Sequence, residues 1–507
     1  MNFYLYIYKT TTISSTLLLF FYIILGEEMR FLIVAIACLV AFECIHGYRG
    51  PFRKMFPTRE PSIVTVEDDP GEPLFLTPYL EQGKIEEARR LSSVELTPFK
   101  QQSFSGYLTV NKQYNSNMFF WFFPAQNGNK PDTPVMLWLQ GGPGASSLFA
   151  LFTEIGPIYI DANENIQLRG VTWNKNYHLL FIDNPVGTGF SFTGNDQGYA
   201  RSQEDVARDL YSALTQFFQI YTDYAMNPFY VTGESYGGKY VPSITYKIHV
   251  ENQNPQVKVK INLKGMSIGD GLTDPVNQYM YGDFLYQIGL IDMTQKAYVD
   301  LQTALMRYAI EQQRYIDAFH IFDALLNGDL LNTTSYFYNV TGIKNYFNYL
   351  LTDEPQDQGY FIPFVTRADR RKQIHVGNMS YGGQSEIVEK MLLNDVMQSM
   401  AWKVAAIANA NYSVLIYNGQ LDVIIAVPLT MEWVGQLSWI GTDQLRQAER
   451  KVWKVADSDP EIAGYVKTAN NNRFFLATIR NAGHMVPYDQ PRAMLDLLER
   501  FLAAQPK

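Results

Sequence analysis

The stretch Phe229-Tyr230-Val231-Thr232-Gly233-Glu234-Ser235-Tyr236-Gly237-Gly238 runs from a short apolar, β-prone segment into Gly-x-Ser-x-Gly and then into residues compatible with a helix. That order makes a nucleophile elbow: the strand ends, the chain turns sharply, and a serine is left exposed at the turn. Gly233 and Gly237 let the backbone turn tightly enough to hold Ser235 at the C-terminal end of the strand, with a helix N-terminus close by. A strand that hands over to a helix in this way belongs to a parallel sheet, and the flanking sequence carries more of the same units.

A Pro-rich approach segment leads to two strand-like runs, Gly106 to Val110 and Met118 to Phe123, flanking the polar stretch Asn111 to Asn117, which predicts an antiparallel hairpin. Short apolar runs follow at Val135 to Leu139, Leu179 to Ile182, Phe229 to Thr232, Val414 to Tyr417 and Phe474 to Ile479, as expected of parallel strands buried on both faces. Val206, Leu210, Leu214, Phe217 and Tyr221 recur at helical spacing behind Ser202 and Asp205, a capping pair. Pro491 to Leu502 is a second amphipathic helix. From about 277 to 371 the alternation gives way to helical patterning, read as an inserted cap. There Tyr298, Leu301, Leu305 and Tyr308, then Tyr315, Phe319 and Phe322, are expected to pack as one apolar face. The fold class is α/β, with a mostly parallel central sheet and a helical cap.

Composition narrows the function. The chain has 507 residues, 47% hydrophobic and 18% charged, with Lys+Arg 41 against Asp+Glu 50 and a net charge of −9. That is a globular composition, and it disfavours nucleic-acid or anionic-membrane binding through a basic surface. The two cysteines, Cys38 and Cys44, both lie in an N-terminal apolar run, so paired-cysteine zinc sites and a disulfide scaffold are excluded; no metal or other cofactor is expected. Two apolar runs, Ser14 to Leu25 and Phe31 to Phe42, each fall short of the roughly 20 residues of a membrane span. Read from Met29, the order is Arg30, an apolar run, then small and polar residues near Gly47, which is the build of a secretory leader. With Met1 as the start, the first run would belong to a longer leader or an anchor. The expected organisation is a leader region at 1–47, an approach segment at 48–94 and a catalytic domain at 95–507. Acceptor triplets for N-glycosylation at Asn332, Asn339, Asn378 and Asn411 fit a secreted or lysosomal glycoprotein.

A serine hydroxyl needs an imidazole base, and the base needs an acceptor that fixes its tautomer. Of six histidines, His46 lies at the leader junction, His249 and His320 fall on predicted helices, His178 begins a strand and His375 sits in a basic loop. His484 alone follows a strand, Phe474 to Ile479, that would bring it to the sheet edge of Ser235, and Asp422 comes just after Val414 to Tyr417. The order Ser235, Asp422, His484 is that of an α/β-hydrolase fold. Tyr236 supplies one backbone N–H for an oxyanion, and the second is expected from Gln140-Gly141-Gly142-Pro143-Gly144. This glycine loop lacks the Lys-Ser/Thr ending of a phosphate loop.

Trp138-Leu139-Gln140-Gly141-Gly142-Pro143-Gly144-Ala145-Ser146-Ser147, Gly233 to Tyr240, and Gly483-His484-Met485-Val486-Pro487 resemble the serine carboxypeptidase family. Asp183 to Ser191 and Leu263 to Leu272 match as well, so the likeness spans about residues 95 to 505. Gln140 and Gly71 to Pro78 point to its vitellogenic-like branch. The resemblance implies release of single residues from peptide C-termini through an acyl-enzyme, favoured at acid pH. It assigns Ser235, Asp422 and His484 as triad, and the N–H groups of Gly142 and Tyr236 as oxyanion hole. Gln140, Gly141, Glu154 and Glu234 would recognise the substrate carboxylate. Taken alone, Glu154 reads equally well as a solvated helix charge. Two glutamates beside a carboxylate cannot all be ionised, so a shared proton is expected. A homodimer is implied at family level only. Ala145 stands where many members have Cys, and Gln140 where many have Asn. Two alternatives stay open: an acyltransferase using the same triad, and a binding or stabilising protein that keeps the fold without turnover.

Overall fold

The computed structural model describes residues 69–96, 98–330 and 333–504. The leader, both cysteines, His46 and Asn332 lie outside them. Among the described residues no helix is long and apolar enough to cross a membrane.

The strands, in chain order, are β1 (Ser93–Val94), β2 (Ser103–Asn111), β3 (Ser116–Phe123), β4 (Val135–Leu139), β5 (Ile158–Ile160), β6 (Ile166–Leu168) and β7 (His178–Ile182). They continue with β8 (Phe229–Glu234), β9 (Leu263–Gly269), β10 (Ser413–Gly419), β11 (Lys451–Trp453), β12 (Gly464–Ala469) and β13 (Phe474–Ile479). Eleven of them form one sheet in the order β1-β2-β3-β7-β4-β8-β9-β10-β13-β12-β11, while β5 and β6 pair separately. From β7 to β13 the neighbours are parallel, and antiparallel strands close both ends. The sheet is therefore mostly parallel, as expected, and every residue of β4, β7, β8, β10 and β13 is buried. That is why those strands read as unbroken apolar runs.

The helix Gln203–Ile220 begins where predicted. Ser202 Oγ accepts from the Asp205 N–H at 3.2 Å, and the Asp205 carboxylate reaches back to the Arg201 N–H at 3.1 Å. The helix Pro491–Ala503 closes the chain. The cap is present, with helices Tyr281–Gln287, Met293–Glu311 and Tyr315–Phe322 among others, but its packing corrects the expectation. On Met293–Glu311 the buried residues are Val299, Thr303, Met306, Ala309 and Ile310; Tyr298, Leu301 and Tyr308 are exposed and Leu305 is half-buried. The face that packs is turned about one residue from the aromatic stripe, and only the later part, Phe319 and Phe322, is buried. β9 and the β11–β12 pair were not expected as strands from their own pattern.

Candidate active site

The candidate residues gather at the C-terminal edge of five neighbouring strands, β4, β8, β9, β10 and β13. β8 ends at Glu234, and Ser235 follows with φ 60°, in the left-handed region that a serine enters only when the surrounding structure holds it there. The Ser235 N–H donates to the Gly269 carbonyl at 3.0 Å, and its own carbonyl accepts from the Gly238 and Leu272 N–H groups, both at 2.9 Å. A Cβ on Gly233 would lie 2.4 Å from the Leu139 carbonyl oxygen, so glycine is required there by the approach of β4 to the turn.

Asp422 follows β10 and His484 follows β13, two strands paired in register as far as Gly419 and Ile479. His484 Nδ1 lies 2.7 Å from Asp422 Oδ2, and both side chains are buried. With Nδ1 engaged by the carboxylate, the Nε2 edge of the ring has no hydrogen-bond partner in the protein and is the edge left for a serine hydroxyl. Burial works against the imidazolium, but the Asp422 charge and hydrogen bond outweigh it, and His484 holds its proton above the usual range. The ring lies against Phe347 of the cap, with centroids 5.1 Å apart, and the His484 N–H donates to the Phe347 carbonyl at 2.7 Å. The other described histidines are placed as the sequence suggested. His178 starts β7 and accepts from the Ala125 N–H; burial lowers its pKa to about 4, which suits a neutral structural ring.

The glycine loop after β4 lies directly against the elbow. A Cβ on Gly141 would stand 2.5 Å from Ser235 Cβ and 2.6 Å from the Tyr236 nitrogen, so Gly141 passes beside the nucleophile and the Tyr236 N–H. Gly142 has φ 106°, a conformation reserved for glycine. Asp183 anchors this loop: its carboxylate accepts from Ser146 Oγ at 2.6 Å, the Ser147 N–H at 3.1 Å and the Phe190 N–H at 2.8 Å. The segment before the helix Glu386–Val396 straps over it, with the Ser146 N–H donating to the Gly383 carbonyl and the Ser385 N–H to the Gly144 carbonyl, both at 2.9 Å. Tyr236 is fixed from behind, its hydroxyl donating to Asp395 Oδ2 at 2.7 Å beside buried Lys239, whose Nζ stands 3.1 Å from the same oxygen.

Next to the nucleophile is a buried acid network. Trp138 Nε1 donates to Gln140 Oε1 at 2.8 Å, which orients the amide so that Gln140 Nε2 donates to Glu234 Oε1, also at 2.8 Å. Glu154, at the C-terminal cap of the helix Leu148–Thr153, is 1% exposed, so it is no solvated helix charge. Burial, then the charge of Glu234 and a hydrogen bond with it, push Glu154 well above the usual carboxyl range; burial brings Glu234 to about 7. Neither Glu154 oxygen nor Glu234 Oε2 has a hydrogen-bond partner elsewhere in the protein, so no donor stabilises a second charge on the pair.

Sequence reasoning missed three supports: Trp138 as the orienting donor, the strap at 382–385, and Asp270. Asp270, just after β9, is fully buried; Asp270, Asp422 and His484 offer donor atoms within 4.8 Å of one another. Among the described residues this is the one such cluster that could ligate a metal, yet His484 Nδ1 and Asp422 Oδ2 already engage each other. Of the acceptor asparagines, Asn339, Asn378 and Asn411 are exposed.

Comparison with known proteins places the chain. The family model for serine carboxypeptidases matches residues 94–504. The chain is 48% identical over 473 residues to a human protein named probable serine carboxypeptidase CPVL, covering 93% of this chain and 96% of the relative. It is equally 48% identical over 465 residues to the venom serine carboxypeptidase of Apis mellifera, covering 91% and 98%. To the vitellogenic carboxypeptidase of Aedes aegypti it is 41% identical over 479 residues, covering 93% and 98%. Among solved structures it is similar to Kex1Δp, a prohormone-processing carboxypeptidase of Saccharomyces cerevisiae. That match has a TM-score of 0.70 at 22% identity, over 81% of this chain and 96% of the other, and it supports the same α/β-hydrolase fold.

Proposed function

The chain belongs to the serine carboxypeptidase family, and on that premise we propose that it releases single C-terminal residues from peptides with Ser235, Asp422 and His484 as its triad. The observation that carries the reading is the buried Glu154–Glu234 pair, in which Glu234 directly precedes the nucleophile and accepts a hydrogen bond from Gln140 of the glycine loop. A general esterase has no need of a proton-sharing acid pair beside its serine; an enzyme that grips a free carboxylate does.

In this scheme Ser235 Oγ attacks the scissile carbonyl carbon while His484 Nε2 takes its proton, and Asp422 stabilises the imidazolium. The oxyanion is held by the N–H groups of Gly142 and Tyr236. Collapse breaks the C–N bond, His484 returns the proton to the leaving amine, and water later cleaves the acyl-enzyme through the same base. The substrate carboxylate is received by the second Gln140 amide hydrogen, the Gly141 backbone and the protonated Glu154–Glu234 pair. Protonation of the pair and of His484 are linked, since each charge affects the other. Activity belongs to the form with the proton on the glutamates and a neutral imidazole. Above about 7, the value for Glu234, the pair is left with a single proton and a net negative charge that repels the substrate carboxylate, so KM rises; below the raised value of His484 the imidazolium cannot act as base, so kcat/KM falls on both sides.

Ser235→Ala tests the assignment: turnover of an N-blocked dipeptide is expected to fall by several orders of magnitude in folded protein, and near wild-type turnover would sink the triad. The exposed acceptor asparagines support a course through the secretory pathway, to secretion or to lysosomes. Glycosidase treatment of the protein from its native cells should lower its mass, and no change would count against that course.

A further inference from the structure

Asp270 stands behind the triad, just after the strand between the nucleophile's and that of Asp422, at φ 43°, a left-handed conformation that costs energy in a non-glycine residue. Its Oδ1 accepts two hydrogen bonds, from Asn418 Nδ2 and from the Gly419 N–H, both at 2.8 Å. Its Oδ2 is buried and no protein donor reaches it. Asp422, in turn, is an acceptor on both oxygens, Oδ2 from His484 Nδ1 at 2.7 Å and Oδ1 from the Ile425 N–H at 3.2 Å. Two buried carboxyl groups this close cannot both be ionised. Asp422 spends its lone pairs as an anion does, and Asp270 Oδ2 is the oxygen left to carry a proton.

We propose that Asp270 is a positioning residue of the triad: as a neutral carboxylic acid it donates a hydrogen bond to the Asp422 carboxylate and fixes the orientation in which Asp422 meets His484. The inference rests on the reading of Ser235, Asp422 and His484 as the triad. The ionisable groups facing Asp270 agree with it. Asp422 and Glu234 are acidic, Tyr417 is buried and neutral, and the one base, His484, is already held by Asp422. Burial first, then the Asp422 charge, push Asp270 well above the usual carboxyl range. A neutral Asp270 also leaves the imidazolium facing one negative charge at that end of the site instead of two.

The test compares Asp270→Asn, Asp270→Ala and Ser235→Ala in the full chain. Asparagine keeps the Oδ1 acceptor and offers an N–H in place of the acid proton. Asp270→Asn is therefore expected to keep kcat within about threefold, with the acid limb of its pH profile in place. Asp270→Ala should lose about tenfold or more in kcat at little change in KM, because the carboxylate-binding network is untouched. A downward move of the acid limb by about one pH unit in Asp270→Asn would show that Asp270 had been a charge acting on His484, and would overturn the proposal. So would wild-type kcat in Asp270→Ala. Infrared spectroscopy supplies a readout independent of turnover, and Asp270→Asn alone suffices for it if the alanine variant does not fold. The Ser235→Ala protein should show a protonated-carboxyl band, shifted by deuterium, that Asp270→Asn removes; a spectrum unaltered by Asp270→Asn contradicts it. Retained turnover in Ser235→Ala would overturn the triad reading by itself, separately from the infrared result.

Discussion

At the scale of single residues, the site is built from groups whose protonation is set by burial before anything else. Burial raises both Glu234 and Glu154, and in the proposed scheme the pair keeps its proton because neither can be charged cheaply beside the other in a dry site. Replacing Glu154 with Gln keeps a donor but removes the titration. Glu154→Gln should therefore flatten the rise of KM above about pH 7 while leaving kcat within about tenfold. Steady-state kinetics across that range read it, and an unchanged KM profile would show that the pair does not set it. Much of this scale was legible: Ser235, His484 and Asp422 could be placed because each directly follows an apolar run that makes a strand. Asp270 could not, because Leu263-Lys264-Gly265-Met266-Ser267-Ile268-Gly269 carries no apolar run and nothing local says that an aspartate from a neighbouring strand stands behind it.

At the scale of elements, the elbow is held by what packs around it. A Gly141 side chain would collide with Ser235 and the Tyr236 nitrogen, so Gly141→Ala is expected to cost about a hundredfold or more in kcat, with the fold largely kept. Circular dichroism alongside the kinetics separates the two. Behind the elbow, Lys239 and Asp395 are a fully buried pair that ties the helix Gly237–Asn252 to the helix Glu386–Val396. Lys239→Ala leaves Asp395 as an uncompensated buried charge and should destabilise the protein by about 3–5 kcal/mol in a denaturant titration. β9 shows why one central strand escaped the reading. A Cβ on Gly265 would lie 2.3 Å from the Ser413 carbonyl oxygen and one on Gly269 2.2 Å from the Tyr417 ring, so close approach to β10 replaces apolar side chains with glycine. In the cap, the aromatic stripe of Met293–Glu311 misled because the smaller Val299, Thr303 and Met306 fill the buried seam, while Tyr298 packs on Tyr336 with ring centroids 4.3 Å apart.

At the scale of the whole molecule, the raised carboxyl groups make stability a function of acidity. Glu234, Glu389 and Asp183 are brought to about 7 and Asp329 to about 9, each by burial first. A carboxyl raised in the folded state binds more protons there than in the unfolded chain, so its stabilising effect is complete below its unfolded value and fades as pH rises through the folded one. Asp205 and Asp369 are lowered and act in the opposite sense near and below about pH 4, and buried His178 and His375, also lowered, oppose the trend up to about 6.5 but are outnumbered by the raised carboxyl groups. The thermal midpoint should therefore fall from about pH 4.5 to about pH 9, and Glu389→Gln should reduce that slope. A midpoint that rises across the range would contradict it. In the proposed scheme activity is lost over the same alkaline range, because the acid pair gives up a proton there. The most direct measurement is release of the C-terminal residue from an N-blocked dipeptide across about pH 4 to 8, beside the C-terminal amide of the same peptide. The account predicts turnover that depends on the free carboxylate and is lost above about pH 7; equal turnover of acid and amide at every pH would contradict it.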